Sequence, residues 1–257
     1  MGTDAATTAS ASERMAFRAA RELHDGDVVF VGIGLPNLAC NLARATHAPG
    51  LFMIYESGAV GAIPERLPVS IGDPSLVTDS LAVVGQADIF QCLLQRGHIE
   101  VGFLGGAQVD RWGNLNTTVI GDYANPKVRL PGSGGACEIA VHARRLLIIM
   151  RMSPRTFVER CDFVTSPGHR MNGRSRKELG MPGGGPTRII TDLGVLSFDE
   201  TGEAVLTEVY AGVTPEQVKA ACGWPLKVAP EVKTGASPDA AVLHLLREKL
   251  DPKRLYL

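Results

Sequence analysis

Two short apolar runs, separated by a glycine turn and a helix-like segment, constrain the fold of this chain more than any other feature. The run Val28–Val31 is followed by the turn "GIGLPN", by a segment that carries Leu38 and Leu42, and by a second run, Leu51–Tyr55. Continuous apolar runs of this length are typical of strands that are buried on both faces. A strand, a helix and a second strand joined in this way form a parallel crossover unit.

Local signals place further helices and a hairpin along the chain. Ser10–Glu13 and Thr214–Gln217 are capping boxes, which start helices. The alternating stretch Val195–Val209 surrounds a Thr-Gly turn and predicts a hairpin. Ser237 and Pro238 predict the start of a last helix, which Asp251 ends.

The apolar pattern of the first unit recurs, and this recurrence predicts the fold class. Similar runs occupy Ile99–Gly106, Arg145–Met150 and Thr187–Asp192, with glycine-rich turns between them. We therefore predict an α/β fold with a single open, mostly parallel sheet and helices on both faces. One domain is expected over residues 13–257, after a disordered leader over residues 1–12.

Composition excludes several classes of function. The formal net charge is -1, which gives no electrostatic footprint for nucleic acid or for an anionic membrane. No stretch approaches the about 18 apolar residues that span a bilayer. The five cysteines are widely spaced without a CxxC pair, and the six histidines show no metal-ligand spacing. We therefore predict a protein of the reducing cytoplasm, with no metal site, no nucleic acid and no membrane as partners.

Glu56 is the first candidate functional residue, because it follows an apolar run directly. A carboxylate at the end of a buried strand is costly unless it is paired or used. Two interpretations stay open: a hydrogen-bonded structural residue, or a group at the carboxyl end of a parallel strand, where ligands bind in open α/β sheets. Ser57, Gly58 and Gly61 follow it and would let another backbone or a ligand come close.

Two further glycine turns follow apolar runs. "GIGLPN" resembles a dinucleotide fingerprint only weakly, because Asn37 stands where the third glycine belongs and Pro36 would lie in the opening turn of the helix. Gly105 and Gly106 follow a buried strand, at a position where a pocket is expected.

The segment "RLPGSGGACEIA", from Arg129 to Ala140, is the second strong candidate. Its residues Gly132-Ser133-Gly134-Gly135 can direct consecutive backbone N–H groups at one point, which binds phosphate or stabilises an oxyanion. Cys137 beside it is a nucleophile or, more in keeping with its surroundings, a small buried residue. The basic loop Arg170–Lys177 is a solvated surface, a contact for an anionic ligand, or a contact for a partner chain; the sequence does not choose among these.

Four motifs together carry a resemblance to a known family. "GIGLPN", "YESGAVGA", "FLGGAQVDRWGNLNTT" and "LPGSGGACEIA", in this order, resemble the beta subunits of class I coenzyme A transferases. The resemblance covers Asp25–Pro252, and within the family it is strongest to the beta subunits of glutaconate CoA-transferases. Relatives that transfer succinyl and acetoacetyl groups usually read Ser-Glu-Asn-Gly where this chain reads Tyr55-Glu56-Ser57-Gly58, so those acyl groups are disfavoured.

The resemblance implies roles for the candidate residues. Glu56 would be the nucleophile that carries CoA as a glutamyl thioester, with acyl-CoA as the source of coenzyme A and no metal. Backbone oxyanion donors would lie at Ile33, Gly34, Gly134 and Gly135. The residues implied to bind substrate or CoA are Ser57, Gly58, Gly105, Gly106, Gly132 and Ser133.

The resemblance also implies a partner and leaves alternatives open. The expected partner is an alpha-type subunit, whose Gly-Gly-Phe signature this chain lacks. The expected activity is transfer of CoA between an acyl-CoA and a carboxylic acid, with a short dicarboxylic or branched acyl group. The alternatives are an acyl-CoA hydrolase or decarboxylase on the same fold, and a non-catalytic ligand-binding subunit.

Overall fold

Six helices are present in the computed structural model, which describes residues 8–257. Short π-type turns, Ile89–Leu94 and Leu245–Leu250, extend the third and the sixth of them, and a 3-10 turn covers Pro74–Val77. The helices are α1 Ala11–Ala20, α2 Leu35–Thr46, α3 Gln86–Asp88, α4 Ala136–His142, α5 Pro215–Ala220 and α6 Ala240–His244.

Sixteen strands, most of them short, occur in the same residues. They are β1 Val28–Phe30, β2 Phe52–Ile54, β3 Ala59–Val60, β4 Ala82–Val83, β5 Val101–Leu104, β6 Gln108–Val109, β7 Leu115–Asn116, β8 Val119–Gly121, β9 Pro126–Arg129, β10 Arg145–Ile149, β11 Arg170–Met171, β12 Arg174–Ser175, β13 Pro186–Ile190, β14 Gly194–Phe198, β15 Ala204–Val209 and β16 Lys227–Thr234. Each apolar run singled out in the sequence overlaps one of these strands.

Contacts between residues divide the chain into two compact units. The first contains the residues up to Leu93 together with Ala236–Leu257, and the second contains Leu94–Gly235. The single domain over residues 13–257 stays a prediction. Of the predicted leader, residues 1–7 lie outside the described residues, and α1 begins at Ala11.

In the first unit the predicted crossover is confirmed. β1 and β2 are parallel, with Val28 opposite Phe52 and Phe30 opposite Ile54, and α2 connects them. β3 pairs antiparallel with β2, and β4 pairs antiparallel with β3. The loops that follow β1 and β2 therefore begin side by side at the carboxyl ends of two parallel strands, where ligands bind in such sheets.

Two helices and the C-terminal segment complete the first unit. α1 and α2 pack against each other through buried small and apolar side chains, including Ala16, Ala19 and Ala39. Glu13 closes the capping box of α1 and also binds Arg247 with both carboxylate oxygens, at 2.5 and 2.9 Å. This bidentate pair joins the last helical segment to the first helix.

One edge of the first unit is apolar and exposed. β4 is the last strand of its sheet, and Ala82 and Val83 are both exposed. Large exposed apolar side chains are concentrated in and before this strand, at Ile63, Val69, Ile71, Val77, Leu81 and Val83. Within the described residues, the stretch from Ile63 to Val83 carries six of the nine large apolar side chains that are open to solvent. We call β4 together with the adjoining Leu81 the exposed β4 edge.

The second unit combines parallel and antiparallel strands. β5, β10 and β13 are parallel neighbours, and β13, β14 and β15 are antiparallel neighbours. β16 adds to β15 in parallel, while β6–β7, β8–β9 and β11–β12 form separate small pairs. The predicted hairpin in Val195–Val209 is confirmed as β14 and β15.

The predicted fold class is confirmed, since the structure is an open α/β sheet with a parallel centre in each unit and antiparallel strands outside it. Both capping boxes are present. The predicted start of the last helix is wrong by two residues. Its N-cap is Asp239, whose carboxylate accepts a hydrogen bond from the Val242 amide at 2.9 Å.

None of the helices within the described residues combines the length and apolarity of a bilayer-spanning segment.

Candidate active site

Glu56 lies at the tip of a tight hairpin between β2 and β3. The Tyr55 amide donates to the Ala59 carbonyl at 2.9 Å, and the Gly58 amide donates to the Tyr55 carbonyl at 3.0 Å. These two bonds close a loop of Glu56, Ser57 and Gly58, the geometry of a type I turn followed by a glycine bulge. The Glu56 side chain is half-buried, and its Oε1 accepts a hydrogen bond from Gln86 Nε2 at 3.2 Å. The carboxylate is therefore partly open to solvent on a well-defined loop.

Gly58 is required by the backbone around it. Its φ is +110°, a conformation that side chains with a Cβ rarely adopt. A Cβ on Gly58 would also lie 2.1 Å from the Val84 carbonyl oxygen. The Val84 amide donates to the Gly58 carbonyl at 3.0 Å, so the approaching group is the backbone next to β4. The sequence predicts that either another backbone or a ligand approaches this glycine closely, and the structure shows the backbone of Val84 in that position.

A buried polar pair connects the Glu56 hairpin to α2. Asn37 and Tyr55 are both fully buried, and Asn37 Nδ2 donates to the Tyr55 hydroxyl at 2.5 Å. Asn41 Nδ2 in turn donates to Asn37 Oδ1 at 3.0 Å. Burial raises the pKa of Tyr55, so this hydroxyl is neutral at ordinary pH. Sequence reasoning noticed Asn37 only as a missing glycine and gave Tyr55 no role.

Gly34 starts α2 in a conformation suited to glycine. Its φ is +93°, no side chain caps the helix, and Pro36 at the second helical position contributes no N–H. A Cβ on Gly34 would meet no atom within 4 Å, so the space beside it is open. Burial raises the pKa of the Tyr256 hydroxyl and the nearby Gly34 backbone lowers it, while the hydroxyl donates to the Pro68 carbonyl. The structure thus places a C-terminal tyrosine beside a predicted oxyanion donor, which the sequence did not indicate.

The predicted glycine nest belongs to the second unit and leads into α4. Thr117 fixes Gly132 from both sides, since the Gly132 amide donates to the Thr117 carbonyl and Thr117 Oγ1 donates to the Gly132 carbonyl, both at 2.8 Å. The Ser133 hydroxyl accepts from the Cys137 amide in the first turn of α4 at 3.3 Å, while Gly135 is the N-cap of that helix. Gly134 is exposed, with a φ of +47°. The oxyanion role of Gly134 and Gly135 stays a prediction.

Gly105 and Gly106 follow β5 as predicted, and tight backbone packing accounts for both. A Cβ on Gly105 would lie 3.0 Å from the Ile149 carbonyl oxygen. A Cβ on Gly106 would lie 3.1 Å from the Asn116 carbonyl oxygen. Their implied contact with substrate or CoA stays a prediction, because close packing alone explains why glycine stands at both positions.

The residues of the basic loop Arg170–Lys177 differ in their burial and in their contacts. Arg170 and Lys177 line an open cavity of about 550 Å³ in the second unit, whereas Arg176 is buried. The Arg176 guanidinium donates to five backbone carbonyls over 2.9–3.4 Å, those of Ala140, Val141, Pro167, Gly168 and Gly183. Burial lowers the pKa of Arg176 to about 10. Arg176 therefore binds backbone carbonyls at the end of α4 and in the neighbouring loops, and is a structural residue.

We expect Arg176→Met to destabilise the chain by about 2–3 kcal/mol, because the carbonyls of Ala140, Pro167, Gly168 and Gly183 would lose their guanidinium donor. Chemical denaturation measures this change. Lys177→Met is the matched control, since Lys177 is exposed and its loss should stay within about 0.5 kcal/mol. Equal stability of the two variants would show that Arg176 does not hold α4 in place.

Among residues 8–257, no cluster of three or more His, Cys, Asp or Glu side chains could hold a metal ion. The candidate residues separate by unit: Glu56, Ser57, Gly58, Ile33 and Gly34 belong to the first, while the nest and the pair after β5 belong to the second. Within the first unit, the Asn37–Tyr55 bond connects the loops that carry Gly34 and Glu56.

The candidate site of the first unit is a half-buried carboxylate on a hydrogen-bonded loop, which follows two parallel strands and is joined to the first turn of α2 by the Asn37–Tyr55 bond. The chain belongs to the coenzyme A transferase family, since the sequence profile described as Coenzyme A transferase matches residues 12–221. The predicted family is thereby confirmed.

Two relatives are similar to this chain over almost its whole length. The beta-type subunit of 3-oxoadipate CoA-transferase from Pseudomonas knackmussii is 52% identical over 239 residues, covering 93% of this chain and 92% of the relative. The corresponding subunit of glutaconate CoA-transferase from Acidaminococcus fermentans is 38% identical over 253 residues, covering 95% and 94%. Identity is thus higher to the 3-oxoadipate subunit than to the glutaconate subunit, although the sequence motifs favour the glutaconate type.

Solved structures support the same family. The crystal structure of the A. fermentans glutaconate coenzyme A-transferase has a TM-score of 0.90 at 36% identity and covers 97% of this chain and 98% of that one. The decarboxylase AibA/AibB has a TM-score of 0.82 at 27% identity, covering 95% and 96%. The fold of this chain is therefore found in proteins of at least two reaction types.

Proposed function

We propose that this chain is the beta-type subunit of a CoA-transferase that moves CoA between an acyl-CoA and a short dicarboxylic acid. The observation that carries the proposal is the position of Glu56, a half-buried carboxylate at the tip of a closed hairpin. Partial removal from water makes a carboxylate a better nucleophile, while the open side of the loop leaves it accessible. The family profile supports CoA as the transferred group.

Glu56 would act in two displacements. Its carboxylate oxygen attacks the thioester carbonyl of the acyl-CoA, the C–S bond breaks, and CoA leaves as the thiolate with an acyl-glutamyl anhydride on Glu56. The thiolate then attacks the Glu56 carbonyl, which forms a glutamyl-CoA thioester and releases the acyl group as its carboxylate. An acceptor carboxylate reverses both steps and leaves as the new acyl-CoA.

Backbone N–H groups would stabilise the charge that develops on oxygen in each step. Gly34 and its neighbour Ile33 lie at the start of α2, next to the hairpin that carries Glu56. Gly134 and Gly135 are the proposed donors of the second unit. One such donor typically contributes about 2.7–4 kcal/mol to the transition state.

The names of the relatives support a dicarboxylic substrate. 3-Oxoadipate and glutaconate are both dicarboxylic acids, and the subunits that carry these names are 52% and 38% identical to this chain. Since each relative is named as one subunit of its enzyme, we also propose an alpha-type partner, without which this chain is inactive. The five cysteines are free thiols, in keeping with a reducing compartment such as the cytoplasm.

Trapping the covalent intermediate tests the proposal. The two-subunit complex is incubated with glutaryl-CoA, without acceptor acid, and digested for mass spectrometry. We expect the peptide that contains Glu56 to gain the mass of CoA less one water, and hydroxylamine to convert the Glu56 thioester to the hydroxamate. An unmodified Glu56 in a complex that turns over acyl-CoA would exclude the glutamyl route.

Decarboxylation is the second candidate reaction, because the decarboxylase AibA/AibB shares the fold at 27% identity. Hydrolysis of acyl-CoA is the third, since water could replace the acceptor acid. The three reactions differ in their products. Transfer conserves the thioester and needs an acceptor, hydrolysis consumes the thioester, and decarboxylation releases CO₂ while the thioester survives.

A further inference from the structure

Asn37 and Tyr55 form a polar contact inside an apolar region. Both side chains are fully buried, and so are their neighbours Leu38, Met53 and Ile54. The Tyr55 hydroxyl accepts from Asn37 Nδ2 at 2.5 Å and donates to the sulfur of Met53 at 3.9 Å. Buried polar groups are costly unless they are fully hydrogen-bonded, whereas leucine and phenylalanine would fill the same space without that requirement. Packing alone therefore does not explain why these two residues stand here.

The pair connects the two loops of the site in the first unit. Tyr55 forms both bonds that close the Glu56 loop, one with its amide and one with its carbonyl. Asn37 lies in the first turn of α2, three residues after Gly34. A shift of Asn37 relative to Tyr55 would move the Glu56 loop relative to the backbone amides at the start of α2.

Asn41 extends the contact by one more turn of the same helix. Its amide Nδ2 donates to Asn37 Oδ1 at 3.0 Å and to the Asn37 carbonyl at 2.9 Å. These bonds fix the orientation of the Asn37 amide, so that its N–H faces Tyr55. Asn41 therefore donates to Asn37, and Asn37 donates to Tyr55, so that one series of hydrogen bonds joins α2 to the hairpin.

We propose that Asn37 and Tyr55 are positioning residues, which hold the Glu56 carboxylate in register with the amides at the start of α2. The inference rests on the function proposed for Glu56. Neither side chain touches substrate; both act through the hairpin and the helix. Misplacing a reacting group by about 1 Å can lower a rate about 100-fold.

Tyr55→Phe tests the inference, because it removes the hydroxyl and keeps the ring. In the two-subunit complex with glutaryl-CoA, we expect the single-turnover rate of glutamyl-CoA formation on Glu56 to fall about 10- to 100-fold. The KM for glutaryl-CoA should stay within about threefold, since substrate contacts are unchanged. Asn37→Leu should lower the rate similarly, and the double variant should be no slower than the worse single variant.

Two further variants separate positioning from loss of stability. Tyr210→Phe also removes a buried tyrosine hydroxyl, but in the second unit, and should leave the rate unchanged. Asn41→Ala removes only the two outer bonds, those from a half-buried side chain to Asn37, and should give a smaller fall in rate, about threefold. It provides the measurement if the Tyr55 and Asn37 variants fail to fold.

The outcomes are distinguishable. Absence of the glutamyl-CoA thioester in the unaltered complex would overturn the proposed function itself. If the unaltered complex forms the thioester and Tyr55→Phe forms it at the same rate, the positioning inference is wrong. It is also wrong if the Tyr55 and Asn37 variants do not fold and Asn41→Ala forms the thioester at the full rate. A slower Tyr55→Phe with an unchanged KM supports it.

Discussion

Replacing Glu56 by glutamine is expected to lower kcat of the two-subunit enzyme by about 10³-fold or more, the scale seen when a covalent nucleophile is removed. A neutral amide cannot attack the thioester, although it keeps the size of the side chain and an oxygen that can accept from Gln86. Because the side chain is only half-buried and lies at a loop tip, stability should change little.

Following the appearance of the new acyl-CoA measures this effect, with unfolding curves to show that the variant is intact. Glu65→Gln is the matched control, since it makes the same chemical change at an exposed carboxylate of the same unit. If Glu56→Gln retained the full rate, Glu56 would not be the nucleophile, and a non-catalytic ligand-binding role for this chain would become the better interpretation.

Replacing Gly58 by alanine is expected to destabilise the chain by about 2–5 kcal/mol, combining a left-handed backbone penalty with overpacking. The added Cβ would lie 2.1 Å from the Val84 carbonyl oxygen, so either the hairpin or the strand beside it must move. We also expect a lower transfer rate in the folded fraction, because the loop that moves carries Glu56.

Gly26→Ala isolates the backbone part of this effect. Gly26 has a φ of +82°, and a Cβ there would meet no atom within 4 Å. We expect it to cost about 1–2 kcal/mol, measured by chemical denaturation beside Gly58→Ala. Equal losses in the two variants would mean that the Val84 contact is relieved at no cost.

Local signals account for what the sequence predicted correctly. The crossover of β1, α2 and β2 follows from apolar runs and a glycine turn, and the capping boxes at Ser10 and Thr214 depend on residues three apart. The start of α6 was missed because Asp239, a better cap, follows the Ser237-Pro238 signal. Each of these features is determined within a few residues of chain.

Features that depend on contacts distant in sequence could not be predicted. Gly58 meets Val84, Asn37 binds Tyr55, and the Gly34 backbone meets Tyr256 near the end of the chain. Arg176 belongs to the basic loop that the sequence left as a solvated surface, a ligand contact or a partner contact, yet it is buried against five carbonyls. Charge and composition could not reveal this, because the acceptors are backbone groups, which are present at every residue.

The exposed β4 edge has a consequence for how a cell can produce this chain. A strand edge with open N–H and C=O groups, bordered by exposed side chains such as Leu81 and Val83, is a template on which another chain can pair. Chains synthesised in excess of a partner would therefore tend to stack edge to edge and precipitate. Balanced synthesis of the two polypeptides, from one messenger or at one rate, is the simplest protection against that loss.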